Sequence, residues 1–384
     1  MNELVIPTSL TLSIDQIKFV QESLERSFAI NSIQYKNDSW IIDIPAGQQE
    51  EIIKATKRLV FVAKSINKDL LYENHGSHKY SEDPQPILED RRDVIPVHPG
   101  FFTLQGDFLR VFHAINIHIR EMATELEAIE QEYPSVWPVR LFKKINYLNE
   151  FPQQVILCAP VKDDYESRKK FSIKYEKNQS YDSVEMDNLL ANSEYGLEPA
   201  VCDCCYYGLE NQSGLKNSFY TCYNKVFRNE RSGSNQLDRL TNFSVRDIMF
   251  VGTEQFVLES RQILIDKLSK FLGNLQIEVK IETANDPFFA NESSMKSAFQ
   301  NSHKLKYELL AAIPHLEKNI SIGSINFHMD FFGSAFDIST ENRVPAHSGC
   351  IGVGMERTVY ALFCQHGPDL HDWPENVIQF LRLK

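Results

Sequence analysis

The sequence predicts an α+β protein, an antiparallel sheet flanked by helices with a small α+β domain ahead of it. Runs with β-like patterning crowd the second half: SFYTCYNKVF at 218–227, FSVRDIMFV at 243–251, IEVKIET at 277–283 and SIGSINFHMDFF at 321–332. Helical stretches at about 253–273, 293–311 and 355–365 interrupt and follow them. One strand leads through a long polar loop to a return strand, with no regular βαβ winding, and this favours antiparallel pairing. A chain of 384 residues with 42% apolar content can bury one main core and a satellite.

The satellite comes first, over 1–75. Apolar residues fall at helical spacing from Ser13 to Phe28, then AINSIQYK and SWIIDIP alternate around the turn signal Asn37-Asp38, and a second helix is expected from about Gln48 to Asn67. The polar, proline-bearing stretch GSHKYSEDPQPILEDRRD at 76–93 reads as a linker. A larger domain then fills 94–384. Phe108, Val111, Phe112, Ile115, Ile119, Met122 and Leu126 make a stripe at 3–4 spacing, which predicts a long amphipathic helix over 104–130. The charged stretch ATELEAIEQEYP at 123–134 reads as its solvated face.

The net charge of −12 argues against broad binding of a phosphate backbone, which needs clustered Lys and Arg. Seven cysteines, unevenly spread, do not look like a disulfide framework. The start MNELVIPTSLTLS lacks a basic and apolar leader, and no run reaches the length of a membrane span, so a cytoplasmic protein with reduced thiols and no membrane partner is expected.

Two stretches carry candidate chemistry. In FRNE at 227–230, Arg228 offers a planar two-point donor for a phosphate and Glu230 an acceptor for a base or amine. Taken alone, FRNE also reads as an exposed salt bridge at a hairpin tip. In HSGCIGVGMERTVYALF at 347–363, glycines permit close approach of backbone to a ligand, and Glu356-Arg357 opens a helix. Taken alone, that stretch is also a tight strand-to-helix turn.

Together and in this order they resemble motifs 2 and 3 of the class II aminoacyl-tRNA synthetases. With PxxxxxxxNYLNEFP at 138–152, RLTNFSVRD, ANDPFF and LKYELL within 284–310, and SINFHMDFFG, the chain from about Val94 to Gly367 resembles the amino acid:[carrier protein] ligases. These are truncated, seryl-tRNA-synthetase-like enzymes that load an amino acid onto phosphopantetheine. The resemblance implies a class II synthetase-type sheet, activation of a small amino acid with ATP and Mg²⁺, transfer to a phosphopantetheinylated carrier protein without tRNA, and a homodimer built around helix 104–130 and the strand near Pro138. It implies that Arg228 and Arg357 serve the α- and γ-phosphates, Glu230 the adenine amino group and Phe243 its ring, while Asn326 and His328 line the substrate pocket.

The resemblance also implies a zinc ion held by Cys, Glu and Cys, at positions that correspond to Cys202, Asp247 and Cys350. Three ligands with an open position is the catalytic arrangement, and no second close Cys or His pair exists to close a four-ligand structural site. Asp247 departs from the family's Glu: either its strand sits closer to the ion, or Cys204, Cys205 or Cys222 completes the site. Taken alone, Cys202 and Cys350 also read as ordinary buried or half-buried thiols. Cys158 and Cys364 read as core residues, and His347 has no assigned role. Two other functional readings are an aminoacyl-tRNA ligase and a non-catalytic paralogue acting as a binding or regulatory subunit.

Overall fold

The computed structural model describes residues 2–8, 11–45, 47–63, 68–76, 80–174, 188–230, 236–286, 296, 299–300 and 302–384. Its centre is one eight-stranded sheet. In spatial order the strands are Leu70–His75, Glu278–Thr283, Lys306–Ile313, Lys318–Met329, His347–Gly354, Asn242–Gly252, Ser218–Phe227 and Ile129–Glu130. Every neighbouring pair is antiparallel except the last, which is parallel.

Helices Gly106–Glu125, Glu254–Asn274 and Met355–His366 cover one face. Their apolar stripes, including Phe108, Val111, Ile115, Leu264, Leu268, Val359 and Phe363, close the main core against Ile248, Leu309, Ile325 and Ile351. The opposite face carries a second apolar cluster beneath the helix Cys202–Gly208 and a small sheet of Val136–Pro138, Tyr195–Leu197 and Leu157–Cys158. Candidate site residues lie on this second face.

The N-terminal unit contains the expected helices and hairpin. Ser13 and Gln16 form a capping box ahead of Ile14–Ser27, and Asn37 and Asp38 at φ 50° and 52° make the tight turn between Ser32–Lys36 and Ser39–Ile44. Its second helix is Gln49–Ala63; residues 64–67 lie outside the described ones. A further strand, Asn2–Pro7, pairs with Ser39–Ile44 and completes a three-stranded sheet over Trp40, Val20 and Leu24.

Several boundaries differ from expectation. Leu70–His75 is an edge strand of the central sheet, so the last residues of the expected 1–75 unit belong there. Within the expected linker 76–93, Gln85–Asp90 is a helix anchored by the fully buried Leu88, one of few apolar residues in a polar stretch; residues 77–79 are outside the described ones. The long helix stops at Glu125, and Glu127 turns the chain at φ 55° into strand Ile129–Glu130. The expected charged face at 123–134 is therefore helical only at its start, and Glu130 instead receives Arg246 at 3.3 Å across the sheet edge.

The expected helix 293–311 is overturned in its second half. Lys306–Ile313 is a strand in which Tyr307, Leu309, Ala311 and Ile313 are buried at every second position. Period two won over the helix-forming Lys, Glu, Leu and Ala there. Of the first half, residues 293–295, 297–298 and 301 lie outside the described ones. Leu309 sits in the main core at 1% exposure, so Leu309→Ala should cost about 2–5 kcal/mol, read as a lower urea midpoint for the large domain. Cys364 is fully buried, whereas Cys158 is half-buried at the edge of the small sheet. Among the described residues, no helix is long and apolar enough to cross a membrane.

Candidate active site

Strand pairing decides which side chains share the site face. Across three adjacent strands, Asn326 stands opposite Cys350 and Cys350 opposite Met249; two residues along, Ser324 stands opposite Gly352 and Gly352 opposite Asp247. Side chains two residues apart on a strand point the same way, so Asp247, Cys350, Asn326 and His328 emerge together while Ile248, Ile351 and Ile325 enter the main core. The helix Cys202–Gly208 brings Cys202 down on this face.

One ligand atom from each of Cys202, Asp247 and Cys350 lies within 4.8 Å of the others. Among the described residues, no other group of three or more Cys, His, Asp or Glu side chains converges in this way. All three are buried, and Asp247 Oδ1, at 4% residue exposure, has no hydrogen-bond partner among the described residues. A buried carboxylate oxygen is costly to leave unpaired, so this donor set fits a divalent cation of the zinc class, with two thiols and one carboxylate. Gly352 makes room for the shorter Asp247 side chain: a methyl group at this position would collide with Asp247 Oδ1. Gly352→Ala should therefore displace the carboxylate and lower metal content in purified protein, with retained metal contradicting this account.

The neighbouring thiols point elsewhere. Trp137 Nε1 donates to Cys204 Sγ at 2.8 Å, and Cys204 donates to Glu198 Oε1 at 2.9 Å. Burial pushes the Glu198 carboxyl up to about 8. Cys205 and Cys222 sit in the apolar cluster, where burial pushes each thiol up to about 12. None of these three joins the cluster.

Within the cluster, the hydrogen bond from Cys202 holds the Cys350 thiol well below its ordinary range, helped by His328 and Asn326, while the same bond pushes Cys202 up. Burial raises the Asp247 carboxyl, and the neighbouring Cys350 charge adds to this. Asn326 Nδ2 donates to Cys350 Sγ at 3.4 Å, and His328 Nε2 lies 3.8 Å from the same sulfur. His347 Nδ1 is buried without a partner among the described residues, and its ring lies beside Phe327.

The candidate nucleotide residues lie along the same strands. The strand Ser218–Phe227 ends before Arg228, so strand alternation does not govern Arg228 and Glu230. Arg228 instead lies over the Phe243 ring, 5.4 Å from its centroid, while its Nε donates to Pro199 O at 3.0 Å. Glu230 accepts from Arg239 at 2.8 Å. Arg357 donates to Ser321 O at 3.3 Å; burial lowers its guanidinium from the ordinary value, and it feels the charges of Glu230, Arg228, Arg239 and Asp238. Residues 231–235 of the connecting loop lie outside the described ones, as does part of the ANDPFF stretch.

Two anchoring groups went unassigned in the sequence. Glu356 accepts from Ser244 N at 2.7 Å, Ser244 Oγ at 2.9 Å and Lys225 Nζ at 3.1 Å, tying the helix that carries Arg357 to the strand that carries Phe243. Its place beside Arg357 was the available signal. Asp286 accepts from Lys306 at 2.6 Å and Gln300 at 2.7 Å; burial would raise its carboxyl, yet the Lys306 ammonium holds it below the usual range.

The class II tRNA synthetase core domain family (G, H, P, S and T) matches residues 183–366. Amino acid–[acyl-carrier-protein] ligase 2 of Bradyrhizobium diazoefficiens is 35% identical over 289 residues, which cover 74% of this chain and 84% of that protein. Ligase 1 of the same organism is 34% identical over 200 residues, 51% of this chain but only 60% of that protein. Among solved structures, M. kandleri SerRS in complex with A. aeolicus tRNASec shares the fold, with a TM-score of 0.72 and 17% identity over 99% of this chain and 77% of that one.

Proposed function

The chain belongs to the amino acid:[carrier protein] ligase family, seryl-tRNA-synthetase-like members of class II, and from this premise we propose that it activates a small amino acid with ATP and passes it to a phosphopantetheine thiol. The amino acid carboxylate attacks the α-phosphorus, releasing pyrophosphate and forming aminoacyl-AMP. The thiol then attacks the activated carbonyl, giving a thioester and AMP. The observation that supports this reading best is the buried Cys202, Asp247 and Cys350 cluster, in which Asp247 and Cys350 sit on the strands that carry Phe243 and lead into Arg357 while a helix brings Cys202.

Cys202, Asp247 and Cys350 would hold zinc, which when bound supplies a Lewis acid that lowers the pKa of a substrate amine so that it binds neutral. Arg228, held over Phe243, would neutralise charge growing on the α-phosphate, and Arg357 would grip the γ-phosphate so that the chain of phosphates bends. Phe243 would stack on adenine and Glu230 accept from its amino group. Magnesium would accompany the phosphates. The thiol acceptor is intrinsically nucleophilic and needs no dedicated base. A homodimer would use the region of Gly106–Glu125 and Val136–Pro138, where Ile117, Ile129 and Val136 are exposed.

An ATP–pyrophosphate exchange screen across small amino acids, non-proteinogenic ones included, tests the first step. Exchange with at least one of them is expected. No exchange with any would favour a non-catalytic binding subunit.

A further inference from the structure

We propose that Asn326 and His328 are positioning residues for the metal site, whose N–H groups converge on the Cys350 sulfur and limit the charge it gives to the ion; this rests on the reading of Cys202, Asp247 and Cys350 as ligands. Asn326 faces Cys350 directly across the paired strands. Its amide nitrogen reaches Sγ at 3.4 Å and Ser324 Oγ at 3.1 Å, which occupies both of its N–H groups.

His328 approaches the same sulfur from two residues along the strand. Its Nε2 lies 3.8 Å from Sγ, while Nδ1 lies 3.2 Å from both Ser348 Oγ and Tyr206 OH. Tyr206 donates its own proton to Gly349 O at 3.3 Å, and its ring is stacked on Phe332 at 4.1 Å. The Ser348 hydroxyl can donate into the Nδ1 lone pair. The ring proton then sits on Nε2 and faces the sulfur. Phe332, edge-on to the imidazole at 4.9 Å, holds it in this plane.

Cys202 is differently placed. Its sulfur lies 3.8 Å from Asp203 Oδ1 and has neither of the two N–H groups that serve Cys350. The two thiolates of the site are thus unlike, one polarised by two donors and the other beside a carboxyl. A thiolate that receives N–H bonds gives less charge to its metal, leaving the ion a stronger acceptor for a neutral amine. Asn326 and His328 would act on substrate through the Cys350 sulfur.

The test replaces zinc by Co²⁺ in the full chain and reads the sulfur-to-cobalt charge-transfer band, with Zn²⁺ affinity measured in parallel by competition with a chromophoric chelator. Asn326→Leu and His328→Phe keep size and shape but remove the donor. Each should move the band to longer wavelength and weaken Zn²⁺ binding by about 10–100-fold. His328→Gln restores an N–H at the Nε2 position and should return both readouts toward wild type. Unchanged band and affinity in the two donor-less variants overturn the proposal while leaving the ligand reading intact. So does a His328→Gln protein as weak as His328→Phe, which would mean that ring packing matters and the proton does not. A wild-type chain that binds neither Co²⁺ nor Zn²⁺ overturns the ligand reading and this proposal together.

Discussion

Cys350→Ala and Cys202→Ala should each purify without the metal and without amino acid activation. Three side chains converge here, and removing one thiolate leaves two ligands around an ion that needs at least three from the protein. Loss of a group that merely supports a ligand costs about 10–100-fold in affinity or activity, and loss of a ligand should exceed that. Metal analysis of purified protein together with pyrophosphate exchange checks both halves. Cys204→Ala is the control: its thiol is engaged with Glu198 and Trp137, so the metal should stay. Full metal content in Cys350→Ala would remove that residue from the site.

Arg228→Ala and Arg357→Ala should each slow pyrophosphate exchange by about 10²–10³, the usual cost of removing a preorganised donor from a developing charge. Arg228→Lys should recover little, because an ammonium lacks the planar fork and stacks less well on Phe243. Stability should move the other way at Arg357. Arg357 is half-buried, with a 3.3 Å bond to Ser321 O, and partial burial works against its charge. The Arg357→Ala protein should therefore melt at or above the wild-type temperature while losing exchange, the pattern of a group kept for function at some cost in stability. Equal loss of melting temperature and activity would make Arg357 structural.

Much of the sheet was legible because its strands advertise themselves. SFYTCYNKVF and FSVRDIMFV are rich in aromatic and β-branched residues, and in the structure they pair with each other in unbroken antiparallel register. KYELLAAI is built largely of good helix formers and ends in an apolar run, and only burial at every second position shows that it is a strand. Leu70–His75 was hidden for another reason: an edge strand is defined by its partner, Glu278–Thr283, which lies far away in the chain. No local signal identifies such pairing.

For the candidate site, the family resemblance pointed to Cys202, Asp247 and Cys350, and the structure brings their ligand atoms together. Residue type alone did not say which cysteine of VCDCCYY faces the cluster. That depends on Cys204 turning toward Glu198 and Trp137, contacts made only after folding. Nor did sequence indicate that Gly352 leaves space for the shorter Asp247 carboxylate, because this is a cross-strand relation. Glu356 was overlooked beside its arginine since a carboxylate that opens a helix usually faces water, whereas this one is buried at 3% exposure against Ser244.

The most direct test of the central claim offers the purified chain, ATP and its activated amino acid to three acceptors in parallel: a holo-carrier protein, the same carrier without phosphopantetheine, and total tRNA. Intact-mass spectrometry should show one aminoacyl increment on the holo-carrier alone, labile to hydroxylamine as a thioester is, with tRNA uncharged. Charging of tRNA with no increment on the holo-carrier would contradict the account and make the chain an aminoacyl-tRNA ligase.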